Sequence, residues 1–209
     1  MILAGIKVLD TTLVRDAVEL SRSLLEPYLF NHVMRSWLFG ILLSEGAKPA
    51  PDPELLAVSA VLHDLGLTDR YTAENRFEVD GANAARAFLK DRGISTQQTQ
   101  VVWDAIALHT TPSIALHKEP EVVMTHSGIT VDVIGIGLDR IPQDKLRAVL
   151  TEFPRLVFKN QFKERLCSVV RRKPATSFDN VLRDFGSRYI EGFTAPSFAD
   201  FFANAPFSE

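Results

Sequence analysis

Apolar positions recur at helical spacing along almost the whole chain, so the pattern predicts helices throughout and an all-α fold. Thr11 or Thr12 can cap a helix through Val14, Val18 and Leu24 that stops at Pro27. A long apolar stretch, 28–43, forms the next. Residues 48–53, with three prolines, read as a loop, and Pro53 opens a helix over 54–65. After a polar loop at 67–77, the periodicity resumes over 78–90 and stops at Gly93. Ser95 then caps a helix with Gln98 completing a capping box, and Val102, Ala105, Ile106 and His109 follow at helical spacing. The segment 122–136 is rich in valine and isoleucine, which suits a strand. No second strand-like run offers it a partner, so it is expected to be a helix. Three or four amphipathic helices follow Pro142, ending in a phenylalanine-rich tail (Phe193, Phe198, Phe201, Phe202, Phe207). The tail is expected to dock on its own domain; a homo-oligomer through the helical C-terminal region is the alternative.

Composition narrows the classes. With 209 residues and 46% hydrophobic content the chain can bury one core, so a single domain over 1–209 is expected. The net charge of −3, from 23 basic and 26 acidic residues, leaves no electrostatic footprint for a nucleic-acid polymer. The short basic run Arg171-Arg172-Lys173 reads as a solvated helix end. No stretch approaches the ~20 apolar residues of a membrane span, and the first ten residues lack the apolar core of a signal peptide. The single cysteine, Cys167, fits a buried thiol in a reducing compartment. A cytoplasmic location is therefore expected.

The chemistry gathers around His63-Asp64, at the end of the apolar run VLHDLG. Adjacent imidazole and carboxylate side chains at a helix end can both turn toward one ion. His32 upstream and Asp132 downstream would complete a set of two imidazoles and two carboxylates. Such mixed ligation suits a divalent transition metal, zinc first, with manganese, iron, cobalt or nickel also compatible. Four protein ligands leave room for water or a small-molecule substrate. Asp132 stands among Ile129, Val131, Val133 and Ile134, where a carboxylate needs a partner; a helix cap or an arginine would also serve. His109 can point into the same cavity from its helix end, as proton shuttle or further ligand. Asp64 and Glu78 join it as candidate catalytic groups, although Arg76 could pair with Glu78, and Asp80 reads as a helix-start carboxylate. His117 and His126 read as an exposed loop histidine and a core-facing one. Trp37 and Trp103 read as core aromatics.

His32, His63-Asp64 and Asp132 resemble the H…HD…D signature of the HD-domain metal-dependent hydrolase superfamily over about residues 28–140. That resemblance implies a helical bundle holding one metal on these four side chains, with 141–209 as a helical extension. Some members place a second metal on extra histidines between the HD pair and the last aspartate; with three histidines there, binuclear iron stays open. HDLGLTDRYTAENRFEVDGA, then AIALHTT and GITVDVIG, is similar to the cyanamide hydratase branch, which hydrates cyanamide to urea. The matching positions are Thr68-Asp69, Phe77-Glu78 and Ile106 to His109. Many HD phosphohydrolases carry a lysine after the glycine, and this chain has Leu67 there. Leucine shifts the expectation from phosphate esters toward a small, less charged substrate, although Arg70 and Arg76 are near. A phosphohydrolase of nucleotides or small phosphate esters is the alternative enzyme. A catalytically silent ligand-binding module is the alternative from another class.

Overall fold

The computed structural model describes residues 1–207, and the order of elements is helical after a short hairpin. Helices α1 (Thr12–Leu24), α2 (Pro27–Ser44), α3 (Pro53–Leu62), α4 (Phe77–Lys90), α5 (Thr96–Ala107) and α7 (Pro120–Ile134) form the bundle, with the short α6 (Pro112–Ala115) between the last two. Helices α8 (Gln143–Glu152), α9 (Phe158–Arg172), α10 (Leu182–Tyr189) and α11 (Phe198–Ala203) follow. The local signals act as expected at several ends. Thr11 accepts from the Val14 amide, Ser95 accepts from the Gln98 amide, and Asp52 caps α3 ahead of Pro53.

Helices α2 and α3 are apolar on nearly every face and lie at the centre, while α1 shows the core only Leu13, Val14, Ala17 and Ser21. The segment expected over 122–136 is helical from Pro120 to Ile134, where Gly135 caps it, despite its β-branched residues, because α7 packs along α2, where burial overrides propensity. That approach needs Gly128: a Cβ there would lie 2.2 Å from the Ser36 carbonyl oxygen. Gly66 has the same role where the chain turns after α3, since a Cβ would lie 1.9 Å from the Phe77 carbonyl oxygen on α4. The glycine of HDLG thus lets the turn after His63-Asp64 sit directly on α4.

Four expectations need correction. Ile2–Leu3 pairs antiparallel with Ile6–Lys7, a two-residue hairpin too short for a periodicity argument to register. Helix α3 ends at Leu62, so His63 is its C-cap and Asp64 leads a 3-10 turn, Leu65–Leu67. The basic run ending α9 is no freely solvated end. Lys173 Nζ bonds Asp80 Oδ2 at 2.7 Å and the carbonyls of Ala73 and Asn75, and Arg172 reaches Asp69. Asp80, expected only as a helix-start carboxylate, is the buried anchor of the loop before α4.

The tail also departs from expectation. Phe193 seats its ring on Gly186, but Phe198, Phe201, Phe202 and Phe207 remain exposed. Truncation after Phe193 should therefore shift the unfolding midpoint by no more than a few degrees, since residues outside the packed core contribute little. A calorimetric scan showing a much larger loss would place the tail in the domain's core.

Candidate metal centre

Three side chains converge where α2 passes the end of α3. His32, on α2, places Nε2 3.1 Å from His63 Nε2, and Asp64 Oδ2 lies 3.7 Å and 3.4 Å from the two nitrogens. His32 and His63 are wholly buried and Asp64 is 1% exposed.

The hydrogen bonds behind the rings fix which nitrogen of each neutral ring faces the other. His63 Nδ1 donates to the Ala60 carbonyl at 2.8 Å, as the C-cap position allows. His32 Nδ1 donates to Asp132 Oδ2 at 2.7 Å. In the neutral rings both Nε2 atoms then carry lone pairs, and the two face each other at 3.1 Å beside a carboxylate. Neither oxygen of Asp64 has a hydrogen-bond partner. Three electron-pair donors aimed at one buried point repel one another unless a cation, a proton on His63 or a metal ion, lies among them. The donor set therefore fits a divalent transition metal: two imidazoles and one carboxylate, with each imidazole held from behind.

Electrostatics follow the same geometry. Burial raises the Asp64 carboxyl, but the His63 charge beside it prevails and holds it down to about 2. Burial lowers His32, against the opposing pull of Asp132. Burial would also lower His63, but Asp64 outweighs it and the net direction is up.

Asp132, expected as the fourth ligand, stands on the far side of His32. Its oxygens take Arg35 Nε at 2.6 Å, Arg35 Nη2 at 2.8 Å and Arg155 Nη1 at 2.9 Å, besides His32 Nδ1. Arg35 lies three residues after His32 on the same buried face of α2, and a buried guanidinium needs a carboxylate there. The sequence reading missed Arg35 and Arg155. An arginine inside an otherwise apolar helix, one turn from a candidate ligand, is the signal that could have found the first.

His109 follows the end of α5. Its ring centroid is 4.9 Å from that of His63, with Phe77 at 5.6 Å on another side. Nδ1 donates to the Ile106 carbonyl at 2.7 Å, which leaves Nε2 as the lone-pair nitrogen. Burial first, and then the charge of His63, lower its pKa to about 4, so it is neutral at physiological pH. Glu78 is buried but turned to other partners: Arg76 Nη2 at 2.9 Å and Thr110 Oγ1, which donates to it at 2.6 Å. His126 is buried, with Nδ1 donating to the His109 carbonyl at 2.7 Å, whereas His117 is exposed in its loop. Helix α9 adds an aromatic cover that the sequence did not announce. The Phe158 and Phe162 rings lie 4.9 Å and 5.7 Å from that of His32.

A helical bundle with paired imidazoles and a carboxylate at one turn defines a class, and comparison with known families agrees. The family model "HD domain" matches residues 29–135, so the chain belongs to the HD-domain family and is a metal-dependent enzyme, a hydrolase or hydro-lyase. Among curated proteins it is similar to cyanamide hydratase DDI2 and cyanamide hydratase DDI3 of Saccharomyces cerevisiae. Each is 25% identical over 175 residues, covering 81% of this chain and 77% of the relative. No helix among the described residues is long and apolar enough to cross a membrane.

Proposed function

We propose that the protein hydrates a small nitrile-type substrate, with cyanamide, converted to urea, as the first candidate. The observation that carries this reading is the absence of a free cation at the centre. Among the described residues, Arg35 and Arg155, which flank His32 through Asp132, are both bonded to that carboxylate, and Arg76, on the side of His109, is bonded to Glu78. Leu67, where many phosphohydrolases carry lysine, is buried and apolar. A phosphate ester brings about two negative charges, which an effective site offsets with lysine or arginine. A neutral nitrile needs no such clamp. The similarity to two cyanamide hydratases over most of the chain supports the same choice.

His32, His63 and Asp64 would hold the ion, zinc being the first choice for this donor set. A divalent ion there supplies Lewis acidity and lowers the pKa of water. Asp132 keeps His32 in the tautomer whose Nε2 faces the site. His109, neutral and with Nε2 free, accepts the proton of the attacking water and returns it to the substrate. In the overall reaction a carbon–oxygen bond forms, the nitrile nitrogen gains the protons of water, and nothing leaves. Glu78 is better placed to hold Thr110, and through it the neighbouring His109, than to act as a base itself.

The test is a panel of cyanamide, small nitriles, nucleotide monophosphates and small phosphate esters offered to zinc-loaded protein. Urea from cyanamide with no phosphate release is the expected result. Robust phosphate release without urea would replace this reading with phosphohydrolysis. A His109→Ala variant should lose about 100-fold in kcat while binding metal normally, as removal of a general acid–base does.

A further inference from the structure

We propose that the corner between α8 and α9, residues 155–158 with the first turn of α9, is the door of the metal centre, and that Arg155 is its latch. The inference rests on the reading that His32, His63 and Asp64 hold an ion. It concerns which element moves to let a ligand reach them.

The three side chains are at most 1% exposed, so nothing reaches them unless an element moves. The cover over His32 is carried by α9. The Phe158 ring meets three residues of α2: its centroid lies 6.3 Å from that of Tyr28, 4.9 Å from that of His32 and 5.6 Å from the Arg35 guanidinium. Tyr28, His32 and Arg35 follow one another at four- and three-residue steps, so they share one face of the helix. Phe162, one turn further along α9, stacks on Phe158 at 4.8 Å. Both rings come from outside 29–135, the stretch that the family model matches.

The corner is built to come away. Leu156 and Val157 both hold left-handed backbone, at φ 49° and 59°, which residues with a Cβ rarely adopt and a β-branched one least of all. Two such residues in succession persist only where their surroundings hold them. Apolar packing does not, since Leu156 is 43% and Val157 68% exposed. Val157 is also the N-cap of α9 and supplies no side-chain cap, so the first turn is weakly started. Polar contacts hold the corner instead. Arg155 Nη1 donates to the carbonyl and to Oδ1 of Asp132, each at 2.9 Å, and its guanidinium lies 4.9 Å from the Phe158 centroid. Gln161 reaches the Leu156 carbonyl.

Both ends of the stretch are fixed. Arg35 and Asn31 donate to the Pro154 carbonyl, next to the buried Phe153, and the second half of α9 buries Leu166, Cys167, Val169 and Val170. The segment between them, short of buried apolar contacts, is the part that opens most readily. The two arginines on Asp132 therefore differ in kind: the Arg35 side chain is wholly buried, and that of Arg155 is 34% exposed. Release of Arg155 leaves Asp132 paired with Arg35 and bonded to His32, while Phe158 lifts from the His32 ring. The centre can open without stranding a buried charge.

The test has two readouts, both without substrate: diethyl pyrocarbonate labelling of each histidine in metal-free full-length protein, and zinc release from loaded protein to excess EDTA. The reagent is a compact neutral electrophile taken up by the lone-pair nitrogen of a neutral imidazole. Exposed His117 is the internal reference and should label fast, at a rate no variant changes, whereas His32 should label slowly. Arg155→Gln, which unfastens the latch, should speed His32 labelling and zinc release by about tenfold. Val157→Asn should slow both by about threefold, because asparagine accepts left-handed backbone and steadies the closed corner. A merely structural loop gives no such slowing. Opposite shifts in the two variants support the proposal, and any other pattern overturns it, as does faster labelling of His63 or His109 with His32 unchanged. If Arg155→Gln misfolds, slowing by Val157→Asn decides. Protein that binds no zinc would sink the ion reading, yet the labelling would still decide how His32 is reached. Labelling indifferent to the corner would leave the ion and hydratase readings intact.

Discussion

Asp132→Asn should destabilise the protein by about 3–5 kcal/mol, because it leaves the Arg35 guanidinium buried without a counter-charge. Arg35 is wholly buried, and two of its three donor nitrogens are bonded to Asp132. For a domain of this size, such a loss lowers the unfolding midpoint by roughly 6–20 °C. The same substitution should weaken metal binding by about 10–100-fold without abolishing it, since asparagine no longer anchors the His32 ring as a carboxylate does. Acid titration carries a further signature. Burial pushes the Asp132 carboxyl up, but hydrogen bonds from Arg35 and His32 outweigh this and hold it far below the usual carboxylate range. A depressed folded pKa means that the stabilisation is complete above the unfolded value, about 4, and is lost as pH falls toward the folded one. Wild-type stability should therefore drop below about pH 4, and the Asp132→Asn profile should be flatter there. Thermal unfolding between pH 2 and pH 7 reads both effects. A variant as stable as wild type would contradict the buried Asp132–Arg35 pair.

Asp64→Asn should do the reverse: abolish metal binding and leave the metal-free fold intact. Both Asp64 oxygens lack hydrogen-bond partners, so the fold loses no such bond when the charge goes, only the attraction of the neighbouring His63. The two imidazole nitrogens that remain are too few to hold the ion alone. Elemental analysis should fall from near one equivalent of metal per chain to near none. Zinc in hundredfold excess over its dissociation constant should stabilise wild-type protein by about 2.7 kcal/mol and leave the variant unmoved. Retention of stoichiometric metal by Asp64→Asn would show that the ion sits elsewhere.

Much of this was legible in the sequence because it depends on local chemistry. Caps at Thr11 and Ser95, prolines at 49, 51 and 53, and helical spacing identify the bundle without knowledge of contacts. His32, His63 and Asp64 come together as expected because the HD pair sits where α3 ends and α2 runs past it. What could not be read depends on long-range pairing. The partners of Asp132 are Arg35, 97 residues upstream, and Arg155, 23 residues downstream. No periodicity links these positions. Helix α9 looked like a generic amphipathic extension, yet Phe158 and Phe162 cover His32 and Lys173 ties down the loop before α4. Glu78 had the right burial for a catalytic carboxylate, and only its contacts with Arg76 and Thr110 show how it is engaged.

Anomalous diffraction at the zinc edge from crystals of zinc-loaded protein tests the central claim most directly. A single strong peak about 2.0–2.2 Å from His32 Nε2, His63 Nε2 and an Asp64 oxygen is the expected result, with Asp132 still bonded to Arg35 behind His32. A peak away from these three side chains, or no peak in protein shown to contain zinc, would contradict it.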